Sequence, residues 1–497
     1  MGSTGRASRF RSGSRFGGRF GRTVSTVAGL AVLTVGLVGC DHAPSTVHRP
    51  IDPVVLTGAQ LPQLVGEAPG DIVAFAHRKP DGNAVWDQVP VQVDERAVVP
   101  FGTTPPSNST PGVTGTVYGY GSGGPTALQY TDAGTWVGAD PNAAFDADDE
   151  LVFMAFDAGS VASPEVPDEP AGVVPGSGVA VKIEDPQEPG SVGYVYLFVR
   201  SGPGLDPAAG EDYVTYDFDL TSGPYKTTYK RRTGPNPETS TITTDRYTIG
   251  FTDRWFETTW QVGAGADLLD GHKNVFAIGY CDRSNLTFNQ AEGAFATNTD
   301  GPVRAIRSYV GANSGPKTQR THLFYRYHEQ TITDLRVHAI PGVIDYIDYG
   351  PGALGSTYRS STLPGGVTVD GAPDTVPASI PEWEAVHGGE GTVITTSRYS
   401  ASYSPPPAIS WFYADDSTPD VAQCWGDSWF YGASGSMITN AIPNTDPASS
   451  PFAYLQGVRT NVFLPALTDG PVVVDAAGGL AADVDEPLSV AVSAYAP

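Results

Sequence analysis

GPVRAIRSYVGANSGPKTQRTHLFYRYHEQTITDLRVHAIPGVIDYIDYG, residues 301–350, decides how the chain is read. Its runs are short and rich in β-branched and aromatic residues, the texture of strands. With a period of two, TQRTHLFYRYHEQ places Arg320, His322, Phe324, Arg326 and His328 on one face. Gln319, Thr321, Leu323, Tyr325 and Tyr327 take the other. The next run, TDLRVHAI, sets Leu335, Val337 and Ala339 against Asp334, Arg336 and His338. A link around Gln330-Thr331 predicts an antiparallel hairpin with His328 opposite Asp334, Arg326 opposite Arg336 and Phe324 opposite His338. Two like charges directly opposite repel. The pairing therefore calls for an anion between them. Asp345 and Asp348 can supply it from within. A carboxylate, sulfate or phosphate can supply it from outside, matching the planar fork of arginine.

The candidate ligand-binding residues are Arg304, Arg320, Arg326 and Arg336, and the candidate proton-transfer residues are His322, Tyr325, Tyr327 and His338. Two chemistries fit. In one, arginines neutralise a uronate carboxylate while a Tyr or His moves a proton, an elimination of the lyase type. In the other, the face is a structural lattice of Arg, His, Asp and Tyr.

The rest of the chain has the same texture. Its 59 Gly and 43 Pro suit turns and strand ends, and no amphipathic helix longer than three turns stands out. These features predict an all-β protein of many short antiparallel strands with few helices. Short strands begin at DIVAFAH (71–77) and VPVQVDE (89–95). A Gly/Ser/Thr/Pro-rich insertion follows over 99–140. ELVFMAF is apolar on both faces, so it should be a central strand. GVAVKIED and VGYVYLFVR form a hairpin around PQEPG. The boundaries drawn are a smaller N-terminal β domain over 55–205 and a larger sheet domain over 206–497.

Just before ELVFMAF, Asp140, Asn142, Asp146, Asp148 and Asp149 crowd oxygen ligands into one loop. Calcium can use such a set, although the EF-hand Gly and closing Glu are missing; the alternative is a solvated turn. Catalytic signatures are absent: no P-loop, no dinucleotide fingerprint, no HExxH, and GASGSM (432–437) lacks the G-x-S-x-G pattern.

Residues 1–39 read as a secretory signal: six arginines and no acid, then the apolar run TVSTVAGLAVLTVGLVG. The run ends in Leu37-Val38-Gly39-Cys40, which resembles the lipobox of bacterial lipoproteins. That resemblance implies lipidation of Cys40, a flexible tether over 40–54 and an anchor on the outer face of the cell membrane. Cys281 and Cys424 are then left to form a disulfide in an oxidising exterior, the alternatives being two buried thiols or a metal site, for which no CxxC or His cluster stands beside them. Without the signal the chain carries 23 basic and 54 acidic residues, near −31. Such a charge excludes nucleic acid as a partner and keeps a monomer soluble. From about residue 210 onward the strand texture, with GPVRAIRSYVG, resembles the β-supersandwich proteins that include galactose mutarotase-like domains and polysaccharide lyases. The resemblance implies a multi-stranded antiparallel β-sandwich or supersandwich and a polysaccharide ligand. The competing expectation is a non-catalytic binding or envelope-structural lipoprotein.

Overall fold

The computed structural model describes residues 45–79, 83–100, 126–162, 169–221, 237–276, 294–311, 318–336, 342–418, 429–440, 442 and 454–495. Cys40, Cys281, Cys424 and His338 lie outside the described residues, as does the side chain of Arg336. No described helix is long and apolar enough to cross a membrane.

The protein is all-β, built of antiparallel sheets. ELVFMAF behaves as its two apolar faces demand. Glu150–Met154 is the middle strand of a three-stranded sheet, between Pro53–Thr57 and Gln92–Asp94. Leu151 and Phe153 enter one core, and Val152 and Met154 enter another. The predicted hairpin forms, with Val179–Glu184 pairing Val192–Val199. It belongs to a five-stranded sheet with Ile72–Arg78, Val85–Val89 and the final strand Ser489–Ala494. The chain end thus returns to the sheet built by its early strands.

The largest element is a nine-stranded sheet. Its order is Ala294–Thr299, Ala305–Val310, Thr318–Phe324, His328–Arg336, Tyr454–Leu464, Gly391–Ala401, Glu384–Gly388, Thr357–Ser360 and Leu363–Thr368. Its inner face packs on two four-stranded sheets. One runs Thr215–Asp217, Thr241–Thr243, Tyr247–Phe251, Glu257–Val262; the other runs Leu269–Phe276, Val343–Tyr349, Phe430–Ile438, Ser410–Asp416. Its outer face meets Glu150–Met154 through Leu323 and Ile332.

The outer face also carries a helix, Gly470–Asp485, longer than the three turns expected from the sequence. Pro471 sits at the helix start, where a missing N–H costs nothing. Val473, Ala477 and Ala481, four residues apart, are buried against Trp383, Ile394 and Leu464. The buried stripe is mostly alanine, so its hydrophobic contrast is too weak to show in the sequence.

The quoted hairpin exists in a different register. Thr318–Phe324 pairs His328–Arg336 with Phe324 opposite Glu329 and Thr318 opposite Leu335. The turn is therefore Tyr325–Tyr327, not Gln330-Thr331, and Arg320 lies opposite Thr333. The ring of Tyr325 stacks on His328 at 4.7 Å, and the Tyr325 N–H donates to the His328 carbonyl at 2.8 Å. All seven residues of Thr318–Phe324 are buried. With both faces buried, alternation no longer fixes which partner stands opposite which.

Candidate functional site on the outer face of the large sheet

The arginines and aromatics singled out in the sequence go to three places. Arg304 and Tyr325 lie on the outer face, Arg320 and His322 on the inner face, and Arg326 and Tyr327 in the surface turn. They do not line one concave surface.

In the turn, Arg326 forks onto Asp245 (3.0 and 2.9 Å) and reaches Glu211 at 2.8 Å. The Tyr327 ring lies under Arg246, 5.0 Å from its guanidinium.

On the inner face, rows of side chains cross the sheet by register: Arg307, His322, Thr331, Arg459, Ser397 in one; Tyr309, Arg320, Thr333, Gly457, Tyr399 in the next. His322 donates from Nδ1 to Glu329 at 2.6 Å, and its Nε2 accepts from the Tyr309 hydroxyl at 2.8 Å. Both ring nitrogens are engaged and the residue is fully buried, so His322 is not placed to meet a substrate. Asp345, expected to face Arg326 and Arg336, instead accepts from His272 Nε2 at 2.6 Å and has Arg459 beside it at 3.8 Å. Burial alone would raise Asp345, but His272 and Arg459 hold it well below the usual carboxylate range. Asp348 takes Lys273 at 2.8 Å. The cavities in this layer measure about 10 and 20 Å³, room for a water at most.

The outer face is different. A groove of about 520 Å³ runs over the sheet, within the range of small-molecule sites. Its floor is made of alternate residues: Gln330 and Ile332 from one strand, Val458, Thr460 and Val462 from the next, Thr396 and Arg398 from the third. Its walls are Ile51–Val55, the helix end at Leu480, Asp483 and Val484, and Pro487, Leu488 and Val490. Tyr130, Glu150, Arg304 and Tyr325 close one side.

Arg304 is held rather than free. Nε donates to Asp94 at 2.8 Å, Nη2 to Glu150 at 2.6 Å, and Nη1 to the Tyr325 hydroxyl at 2.9 Å. Burial pushes Asp94 up against the pull of Arg304. At Glu150, burial is outweighed by Arg304 and Arg96, and the carboxyl stays below its ordinary value. The backbone is pinned as well: Gln92 accepts from the N–H groups of Val303 (3.1 Å) and Arg304 (3.0 Å) and donates to the Arg304 carbonyl at 3.0 Å. Gly301 permits this approach, since a Cβ there would stand 2.4 Å from the Gln92 side chain.

His328 also lines the groove wall, with Nδ1 unpartnered. Burial lowers both His328 and His322 to about 4. Because these folded values lie below the ordinary 6.5, both imidazoles are neutral near pH 7. Their stabilising contribution is present above 6.5 and is lost as pH falls toward 4. Nitrogen NMR of selectively labelled histidine should therefore show neither ring titrating above pH 5. A midpoint near 6.5 at either position would contradict the arrangement.

The acidic loop staples itself. Asp140 accepts from Asn142 N–H (2.7 Å), Asp146 from Asn142 Nδ2 (2.8 Å) and Asp148 N–H (3.2 Å), and Asp149 from Asp146 N–H (2.8 Å) and Arg96 N–H (2.7 Å).

Sequence reasoning missed the groove floor. Gln330, Thr396, Arg398 and Thr460 are common strand residues with no local motif, and only the register brings them together.

No protein-family model matches the chain, and no curated protein matches it. Among solved structures, the chain is similar to heparan sulfate lyase HepC from Pedobacter heparinus, at 8% identity and TM-score 0.25 over 47% of this chain and 34% of that one. A mutant of the same lyase gives 8% identity and TM-score 0.26 over 55% and 38%. A protein from Escherichia coli K12 described as an aldose 1-epimerase gives 10% identity and TM-score 0.24 over 44% and 96%. The chain spans little more than a third of the lyase chains it matches.

Proposed function

We propose that the protein is a carbohydrate-binding protein of the cell exterior, held at the outer face of the membrane through a lipid on Cys40, with the outer-face groove as its site. One observation carries the reading: three adjacent strands present Gln330, Thr396, Arg398 and Thr460 to a single groove of about 520 Å³. Amide, hydroxyl and guanidinium groups alternating with apolar Ile332, Val458 and Val462 suit a ligand that is polar at its rim and apolar on its ring faces.

The charges narrow the ligand. Arg304 is saturated by Asp94 and Glu150, and Arg398 reaches Asp485 at 2.8 Å. Internal carboxylates already neutralise the groove's arginines, so a neutral saccharide fits better than the acidic one expected from the sequence. His328, stacked on Tyr325 in the groove wall, favours a second reading, proton abstraction from a bound sugar.

Calorimetric titration with neutral and uronate-containing oligosaccharides tests the assignment. Neutral oligosaccharides should bind more tightly. Gln330→Ala with Thr460→Ala should weaken binding by about tenfold or more, two hydrogen bonds at about 1 kcal/mol each. Absence of binding by any saccharide to folded protein sinks the reading. Unsaturated sugar ends accumulating in ultraviolet absorbance would replace binding alone with elimination, and loss of that signal in His328→Ala would identify the base.

A further inference from the structure

The groove's arginines are matched by carboxylates, but its carboxylates are not all matched by arginines. The charged side chains that line it are Asp52, Glu150, Arg304, Arg398 and Asp483. Glu150 is shared by Arg304 at 2.6 Å and Arg96 at 2.5 Å, Asp94 also holds Arg304, and Arg398 holds Asp485. These groups balance, three arginines against three carboxylates.

The wall at Asp52 and Asp483 does not balance. Asp52, Asp185 and Asp483 converge on the single guanidinium of Arg49. Its Nε donates to Asp52 Oδ2 at 2.7 Å, and Asp185 and Asp483 each stand 3.5 Å from its nitrogens. The same guanidinium also donates to the carbonyls of Glu486 (2.8 Å) and Asp483 (2.7 Å). Among the described residues, one cation thus faces three anions, two more than it can neutralise. Gln187 donates to Asp483 at 3.1 Å but brings no charge. The three carboxylates come from the segment leading into Pro53–Thr57, the turn after Val179–Glu184 and the end of Gly470–Asp485. Burial, with Asp483 and Asp185 beside it, outweighs Arg49 and pushes Asp52 up to about 6. Burial raises Asp483 too, with Asp185 adding to it against Arg49. The side chains of Asp52 and Asp483 are 19% and 26% exposed, and that of Arg49 only 3%. The carboxylates therefore meet the groove while the guanidinium lies behind them.

We infer that the saccharide this groove takes carries a free ammonium group, an amino sugar, placed against Asp52 and Asp483. The inference rests on the groove being the saccharide site. An ammonium is a compact charge with three donors, able to bridge two carboxylates. It supplies the charge that the cluster lacks, in a half-buried place where pairing is stronger than on open surface. The same two carboxylates repel a uronate, and an N-acetylated sugar has no charge to offer them.

Calorimetric titration with tetrasaccharides of one linkage, built of glucosamine, N-acetylglucosamine or glucose, reads the preference. It is run at a pH where the amine and Asp483 are both charged. The glucosamine tetramer should bind roughly tenfold or more tightly than the glucose tetramer, the effect of about one charge-assisted hydrogen bond. The margin should shrink as salt rises. Asp52→Asn and Asp483→Asn should each lower the ratio of the two affinities, and together abolish the preference. Circular dichroism checks that the variants fold. If Asp52→Asn does not, Asp483→Asn, on the more exposed side chain, carries the test alone. Equal binding of the three tetramers by wild type overturns the inference and leaves the saccharide reading standing. So does an amine preference that Asp483→Asn leaves untouched. Absence of binding by all three to folded protein ends both.

Discussion

Replacing Arg307 by methionine is expected to destabilise the fold by about 3–5 kcal/mol, the usual cost of stranding one member of a buried ion pair. Arg307 and Glu238 are each 0% exposed at the side chain, with Nη2 to Oε1 at 2.6 Å and Nη1 to Oε2 at 2.9 Å. The same guanidinium donates to the Tyr216 hydroxyl at 2.9 Å and the Arg254 carbonyl at 3.1 Å, and lies 3.9 Å from the centre of the Phe251 ring. It thereby joins Ala305–Val310 of the large sheet to the sheet containing Tyr247–Phe251. Methionine fills much of the volume but leaves the fully buried Glu238 carboxylate without the guanidinium that pairs it. Thermal and denaturant unfolding measure the loss. Adding Glu238→Gln should restore a large part of it, because the stranded charge is then gone. A single variant within about 1 kcal/mol of wild type would show that the pair is hydrated or otherwise compensated.

Arg304→Lys is expected to cost about 2–3 kcal/mol, and Arg304→Met more. Arg304 reaches Asp94, Glu150 and Tyr325 with three different nitrogens. An ammonium is a point charge and cannot hold two carboxylates in that fork geometry. The contacts connect the three-stranded sheet to the large sheet, so the loss should be local as well as global. Hydrogen exchange should quicken at Gln92–Asp94 and Glu150–Met154 in Arg304→Lys, at a concentration of denaturant where wild type is still protected. Equal protection in both proteins would mean that Gln92, which holds the Arg304 backbone, carries the junction by itself. Groove binding should fall with the same substitution, since Arg304 and Glu150 form one wall.

These two arginines also show how far the sequence could be read. Arg304 and Arg307 stood in the opening stretch, where an anion, internal or bound from outside, was expected between Arg326 and Arg336. The anions are internal, but they come from Asp94, Glu150 and Glu238, at sequence distances no pattern reveals. Arg326 was expected to meet Arg336 across a hairpin; it lies in the turn and meets Asp245 and Glu211. The error has one source. Every residue of Thr318–Phe324 is buried, so polar residues stand in the core on both faces and the alternation that usually marks inside from outside carries no information. The helix Gly470–Asp485 escaped for a related reason, an alanine-lined stripe in place of a strongly apolar one.

What the sequence by itself determined is what local chemistry dictates. Gly and Pro abundance and β-branched runs specify antiparallel strands, and two apolar faces make Glu150–Met154 a central strand. Only the tertiary structure decided which charges meet and which face offers a groove. A strand sets the direction of its own side chains through backbone geometry, but the residue that lies opposite depends on register and sheet order. Those are settled by packing over hundreds of residues, and a shift of one position moves every arginine to the other face.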